Sequence, residues 1–119
     1  MKPLGTITNT AGNLIHKYKD YGEIEIKTKN RGIVKCIVRT KDLKYLKSNN
    51  YKYIYTFRNN KHSFHAKPLH MNTSSDITLT SIIFQKDGIN CPLFPVCEDP
   101  LTFDIRDVCD MLEKGSNLN

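Results

Sequence analysis

The chain has 119 residues, 39% hydrophobic and 25% charged, which is ordinary for a globular protein long enough to bury a core. No apolar run approaches the roughly 18 residues of a membrane span, and Met1–Thr6 lacks the hydrophobic segment of a secretory signal, so a cytoplasmic location is expected. Net charge is +6, but residues 1–70 carry 15 Lys/Arg against 4 Asp/Glu, whereas residues 71–119 carry 3 against 8.

Residues 1–17 are rich in Thr, Asn and Gly and read as a loop or a loosely held first strand. Glu23–Thr28 alternates, with Ile24 and Ile26 on one face. Lys29–Gly32 makes a turn, and Gly32–Arg39 returns with Val34, Cys36 and Val38 on the same side. Thr40 suits the N-cap of a short helix over Lys41–Ser48, with Leu43 and Leu46 facing the sheet and Asp42 in the first turn.

Tyr51–Lys67 then reads as a β-hairpin turning at Asn59-Asn60, since Asn tolerates the positive φ of a tight two-residue turn. Period-two alternation collects Tyr51, Tyr53, Tyr55, Phe57, Phe64 and Ala66 on one face. The other face collects Lys52, Ile54, Thr56, Arg58, Lys61, Ser63, His65 and Lys67. The first is expected to be core. The second is either a solvated surface or a cationic platform for phosphate.

Pro68 ends the hairpin, and 71–76 is a polar loop. Ile77–Phe84 is rich in β-branched residues and reads as a buried strand, with a strand-to-helix transition as the alternative. The three prolines of Cys91–Pro100 exclude a helix or a central strand there. A last helix over Asp104–Lys114 has Asp104 as N-cap, Phe103 and Val108 as a hydrophobic staple, Ile105, Val108, Cys109 and Leu112 on one face, and Gly115 as its stop.

Chemistry-bearing patterns are few. His62 and His65 are three apart on a strand and so point to opposite faces, which argues against a shared metal with His70. Cys91 and Cys97, with Cys109 farther on, lack the close pair of a structural zinc knuckle. Cys36 and Cys109 read as small core residues. The acids Glu98, Asp99, Asp104, Asp107 and Asp110 read mainly as a solvated surface. There is no phosphate-binding glycine loop and no nucleophile elbow, so neither catalysis nor a cofactor is expected. The basic hairpin face, joined by Lys29, Arg31 and Lys35 on and near the first turn, fits salt-dependent contact with nucleic-acid phosphates.

Two stretches resemble known families. Tyr21–Ile26, the Gly32 hairpin, Thr40–Leu46 and Asn50–Tyr55 follow the order seen in the recognition region of small phage HNH-type endonucleases, which is similar to an AP2-like sheet-and-helix module. Where that family has Leu-His-Arg-Leu-Ile-Met, this chain has Leu79-Thr-Ser-Ile-Ile-Phe84, and no Asp-His-Ile-Asn segment follows. The resemblance therefore implies a binding module without the nuclease centre. Phe103–Leu112 is similar to the first helix of the BRO-N domain of phage antirepressors.

The expected fold is a single α+β domain: an antiparallel sheet of four to five strands, one short packing helix and a C-terminal amphipathic helix. Within it, 1–17 is a weakly ordered segment, 18–85 the basic module, and 86–119 an acidic, Pro-rich loop with the last helix. The expected function is non-catalytic binding of DNA or RNA in a phage or mobile-element setting, through Lys52, Arg58, Lys61, His65, Lys67, Lys29, Arg31 and Lys35. The alternative is an anti-CRISPR or other anti-defence inhibitor that occupies a host nuclease or its guide RNA, with the acidic segment meeting a basic protein surface.

Overall fold

The computed structural model describes residues 2–47, 51–69, 77–89, 93, 95–97 and 101–116. Its class is α+β, with strands divided between two sheets rather than gathered in one. β1 (Gly5–Thr8) and β2 (Leu14–Lys17) form a hairpin where a loop or loosely held first strand was expected. All four residues of β1 are exposed, so this strand carries no buried face to advertise it and is held by backbone pairing with β2.

β3 (Gly22–Lys27) and β4 (Ile33–Val38) pair antiparallel and bury the apolar positions read from their alternation, with Ile24, Val34, Cys36 and Val38 inaccessible. Gly32 adopts φ +69° in the connecting turn. Gly22 is needed for space instead, since a Cβ there would lie 2.5 Å from Leu43 Cδ2.

A 3-10 turn (Thr40–Asp42) leads into α1 (Leu43–Lys47) and buries Leu43 and Leu46 as expected. Its N-cap is Arg39, without a side-chain cap bond, rather than Thr40. The Arg39 guanidinium instead reaches four acceptor oxygens: both of Asp42 (2.7 and 3.0 Å), Asp110 Oδ1 (2.8 Å) and Glu113 Oε2 (2.7 Å). Burial opposes its charge, but these three carboxylates outweigh that and hold its pKa above the ordinary value.

The second sheet has the order β5 (Tyr51–Arg58), β6 (Lys61–Pro68), β7 (Ile77–Thr78). The hairpin register runs from Tyr51↔Pro68 to Arg58↔Lys61, as the Asn59-Asn60 turn requires. Both asparagines have positive φ, 53° and 61°, the signature of a type I′ turn. Ile77–Phe84 is not one strand. It makes two strand residues and then α2 (Leu79–Phe84), so the strand-to-helix alternative holds. The cause is local: the Thr78 hydroxyl accepts from the Ser81 N–H at 3.3 Å and caps the helix against the β preference of its isoleucines.

β8 (Pro95–Cys97) lies at the edge of the first sheet, where proline is tolerated. It pairs with β9 (Thr102–Asp104), which adds parallel to β4 and completes the order β1-β2-β3-β4-β9-β8. Asp104 thus ends a strand, and α3 (Arg106–Ser116) begins beyond it, with Gly115 inside the helix. Ile105 and Cys109 are buried, and Val108 and Leu112 are half-buried. The inner faces of both sheets and the three helices share one apolar cluster, in which Tyr53, Phe64, Ala66 and Phe103 meet Ile24, Val34 and Cys36. Burial pushes the Tyr53 phenol up, and its hydroxyl donates to the Leu46 carbonyl at 2.6 Å.

Candidate nucleic-acid interface

Because Tyr53, Phe64 and Ala66 are buried, period-two geometry turns the alternate side chains of β5 and β6 outward. Lys52, Arg58, Lys61 and Lys67 are exposed there. Register places them in two like-charged cross-strand pairs, Lys52↔Lys67 at one end and Arg58↔Lys61 at the other. Directly opposed like charges oppose strand pairing. None of the four forms an ion pair among the described residues. Positions 52 and 58 are six strand steps apart, roughly 20 Å.

Between the cation pairs lies a neutral strip. The Thr56 and Ser63 hydroxyls are 2.7 Å apart, and Ser63 Oγ lies 2.9 Å from His65 Nε2. His65 Nδ1 is buried and has no hydrogen-bond partner. The serine–histidine contact therefore has no third group orienting the ring among the described residues, unlike a nucleophile–base arrangement. Ile54 stands opposite His65 on this strip.

The inner face keeps its aromatic rings for packing, except that Phe57, expected in the core, is 39% exposed because it sits beside the hairpin turn. Tyr55, Phe64 and Phe103 stack or tilt at 5.6–5.9 Å. His62 belongs to this group, with its ring 4.6 Å from Phe57 and 5.0 Å from Phe103, and its Nδ1 bonded to the Tyr55 hydroxyl. Burial, aided by Arg31, lowers the His62 pKa, and burial raises that of Tyr55. His62 and His65 thus occupy opposite faces, as their spacing predicts. His70, Glu98, Asp99 and Cys91 lie outside the described residues.

Of the outlying cations, Lys29 is exposed on the β3–β4 turn. Arg31 lies over the Phe57 ring, 4.4 Å from its centroid, and so joins that turn to the tip of the hairpin. Lys35 is set apart. Its neighbours Val34 and Cys36 face the core, so it points from the far face of the first sheet, where its Nζ is 3.6 Å from Glu23 Oε1.

That far face holds a cluster the sequence reading missed. His16, Glu23 and Glu25 bring ligand-type atoms within 4.8 Å of one another, a set that suits a divalent cation by atom type. His16 Nε2 already bonds the Glu25 carboxylate, its Nδ1 lies 2.9 Å from the Thr6 hydroxyl, and Glu23 faces Lys35. Three acids in and just before the last helix are also engaged within the chain. Asp110 and Glu113 meet Arg39, and Asp104 binds Arg106 at 2.7 Å. Burial raises the Asp104 pKa, but the Arg106 bonds outweigh it and hold the group below its ordinary value. Asp107 is exposed.

No family model, curated protein or solved structure matches this chain.

Proposed function

We propose that the chain is a non-catalytic nucleic-acid-binding protein, of the phage or mobile-element kind its sequence resemblances imply, and that it binds through the outer face of the β5–β6 hairpin. One observation carries the reading: two opposed pairs of exposed cations stand on one two-stranded ribbon without a carboxylate partner among the described residues. Each pair costs the hairpin a few tenths of a kcal/mol to about 1 kcal/mol when empty. A polyanion turns that cost into attraction. Lys52, Arg58, Lys61 and Lys67 contact phosphates, His65 with Thr56 and Ser63 lines the strip between them, and Lys29 adds charge from the neighbouring turn. Arg31 positions that turn against Phe57.

Four phosphate contacts give a slope of log affinity against log salt of about −3.6 on duplex DNA and about −2.8 on a single strand. Fluorescence anisotropy over 25–200 mM salt reads it. Combined Arg58→Ala and Lys61→Ala should shrink the duplex slope by about 1.8. No binding to DNA or RNA at low salt, or binding indifferent to that double substitution, would falsify the reading.

A further inference from the structure

β5 has a second exposed surface, its outer edge. Among the described residues, the sheet order leaves β5 without a strand partner on the side away from β6. Odd-numbered residues of β5 aim their N–H and C=O groups at that side, because the even-numbered ones, starting with Arg58↔Lys61 beside the turn, exchange bonds with β6. At Tyr53 the edge is already occupied by a side chain. The Tyr53 N–H donates to Asn13 Oδ1 at 2.8 Å, and Asn13 Nδ2 donates to the Tyr53 carbonyl at 3.1 Å. A carboxamide thus imitates a peptide group of a neighbouring strand. The same Nδ2 lies 3.4 Å from the Glu25 carbonyl, so Asn13 stitches β5 to β3.

Past Asn13 the next contact between the two elements is Arg31 of the β3–β4 turn, lying over the Phe57 ring. β2 stops pairing at Leu14↔Glu25, which leaves Ile26 and Lys27 of β3 without a strand partner on that side among the described residues. A groove of about 520 Å³ opens between the strands, within the roughly 300–1,000 Å³ of ligand pockets. Lys27, Lys29 and Lys52 line it together with Tyr55 and Ile54, and the one carboxylate among its lining residues, Glu25, bonds His16. Beyond Tyr53, whose edge Asn13 occupies, the edge from Tyr55 to Phe57 runs for about 7 Å, two steps of extended chain.

We infer that this groove docks an extended acidic peptide segment of a partner protein, which adds as a strand to the β5 edge at Tyr55 and runs toward Phe57. The lysines select carboxylates by charge. The edge selects a peptide over a nucleic-acid strand, because alternating donors and acceptors match a peptide backbone and a phosphodiester chain offers no donors in that spacing. Asn13 shows the pairing geometry at the adjacent step.

The test uses fluorescein-labelled Val-Glu-Val-Glu-Val amide and fluorescence anisotropy with the full chain. Saturable binding below about 1 mM is expected. Val-Lys-Val-Lys-Val should bind at least tenfold more weakly. Of two further probes, N-methylated at the valines or at the glutamates, at least one should lose tenfold with its charge intact. Lys27→Glu should weaken binding at least tenfold, whereas Lys86→Glu, the same charge change on the turn after α2, should leave it unchanged. The inference is overturned by a lack of saturation up to about 1 mM, by equal binding of the lysine peptide, or by full binding of both N-methylated probes. It is overturned too if single-stranded oligothymidylate displaces the peptide from the Lys27 side while N-methylation has no effect, which would make the groove a phosphate site.

Discussion

Arg39 and Arg58 are the same residue put to opposite uses. Arg39 sinks to 8% exposure and meets three carboxylates drawn from two separate parts of the chain, with Lys41 adding a second cation to Glu113 at 3.0 Å. Arg58 stands exposed opposite Lys61 with no carboxylate beside it among the described residues. In the first region charge is consumed in holding α3 against the end of β4. In the second it is left available. A basic chain therefore need not be basic where it counts: the position of the carboxylates decides which cations can serve a ligand.

The comparison breaks most visibly at Arg39. Replacing it, as in Arg39→Met, leaves Asp42 buried at 2% exposure without its cation, and should cost about 3–5 kcal/mol in urea unfolding. A loss under about 1 kcal/mol would show that solvent already screens this cluster.

Acid tests the same region more gently. The Lys41 and Arg39 bonds hold the Glu113 pKa below its ordinary 4.5, and Asp104 is likewise held below 3.8. A depressed folded-state pKa means that the unfolded chain binds more protons, so the stabilisation is complete above those ordinary values. It is lost as pH falls from them through the lower folded values. Protection of the α3 amides from exchange, taken relative to the intrinsic rate at each pH, should fall across that window, while that of β5–β6 amides lags behind. A uniform fall would mean that the cluster is not what docks the helix.

The smallest effect sharpens the other side. Arg58→Glu places a carboxylate opposite Lys61 and should raise stability by about 0.2–1 kcal/mol while weakening nucleic-acid binding. A thermal melt and an anisotropy titration on the same variant read both. Stability and affinity falling together would instead point to a structural role for Arg58.

How legible these features were depended on how local their causes are. Both the Tyr51–Lys67 and the Ile24–Val38 hairpins came through with their inner faces, Phe57 at the exposed tip excepted, because strand alternation and Asn-Asn or Gly turns are written within a few neighbouring residues. β1 did not, since its four exposed residues lack a buried face. β9 is three residues long and finds β4 from some 65 positions away, so nothing near it in the chain marks it as a strand. At Thr78 a single hydroxyl overrode the β preference of four neighbouring residues. The outward cations Lys52, Arg58, Lys61 and Lys67 were readable by alternation alone. The separation of Lys35 from them was not, because it follows from how two sheets stack. Asn13, which joins those sheets, looked like any loop asparagine.

The parallel seam between β4 and β9 also sets an order of events during synthesis. Cys36 and Phe103 become neighbours only after the intervening residues are made, roughly 3–13 s at about 5–20 residues per second. The β3–β4 hairpin needs only microseconds to close. Through that interval the outer edge of β4, beside Val34, Cys36 and Val38, waits for the strand that will cover it. The ribosome, rather than the chain, paces the closing of this sheet.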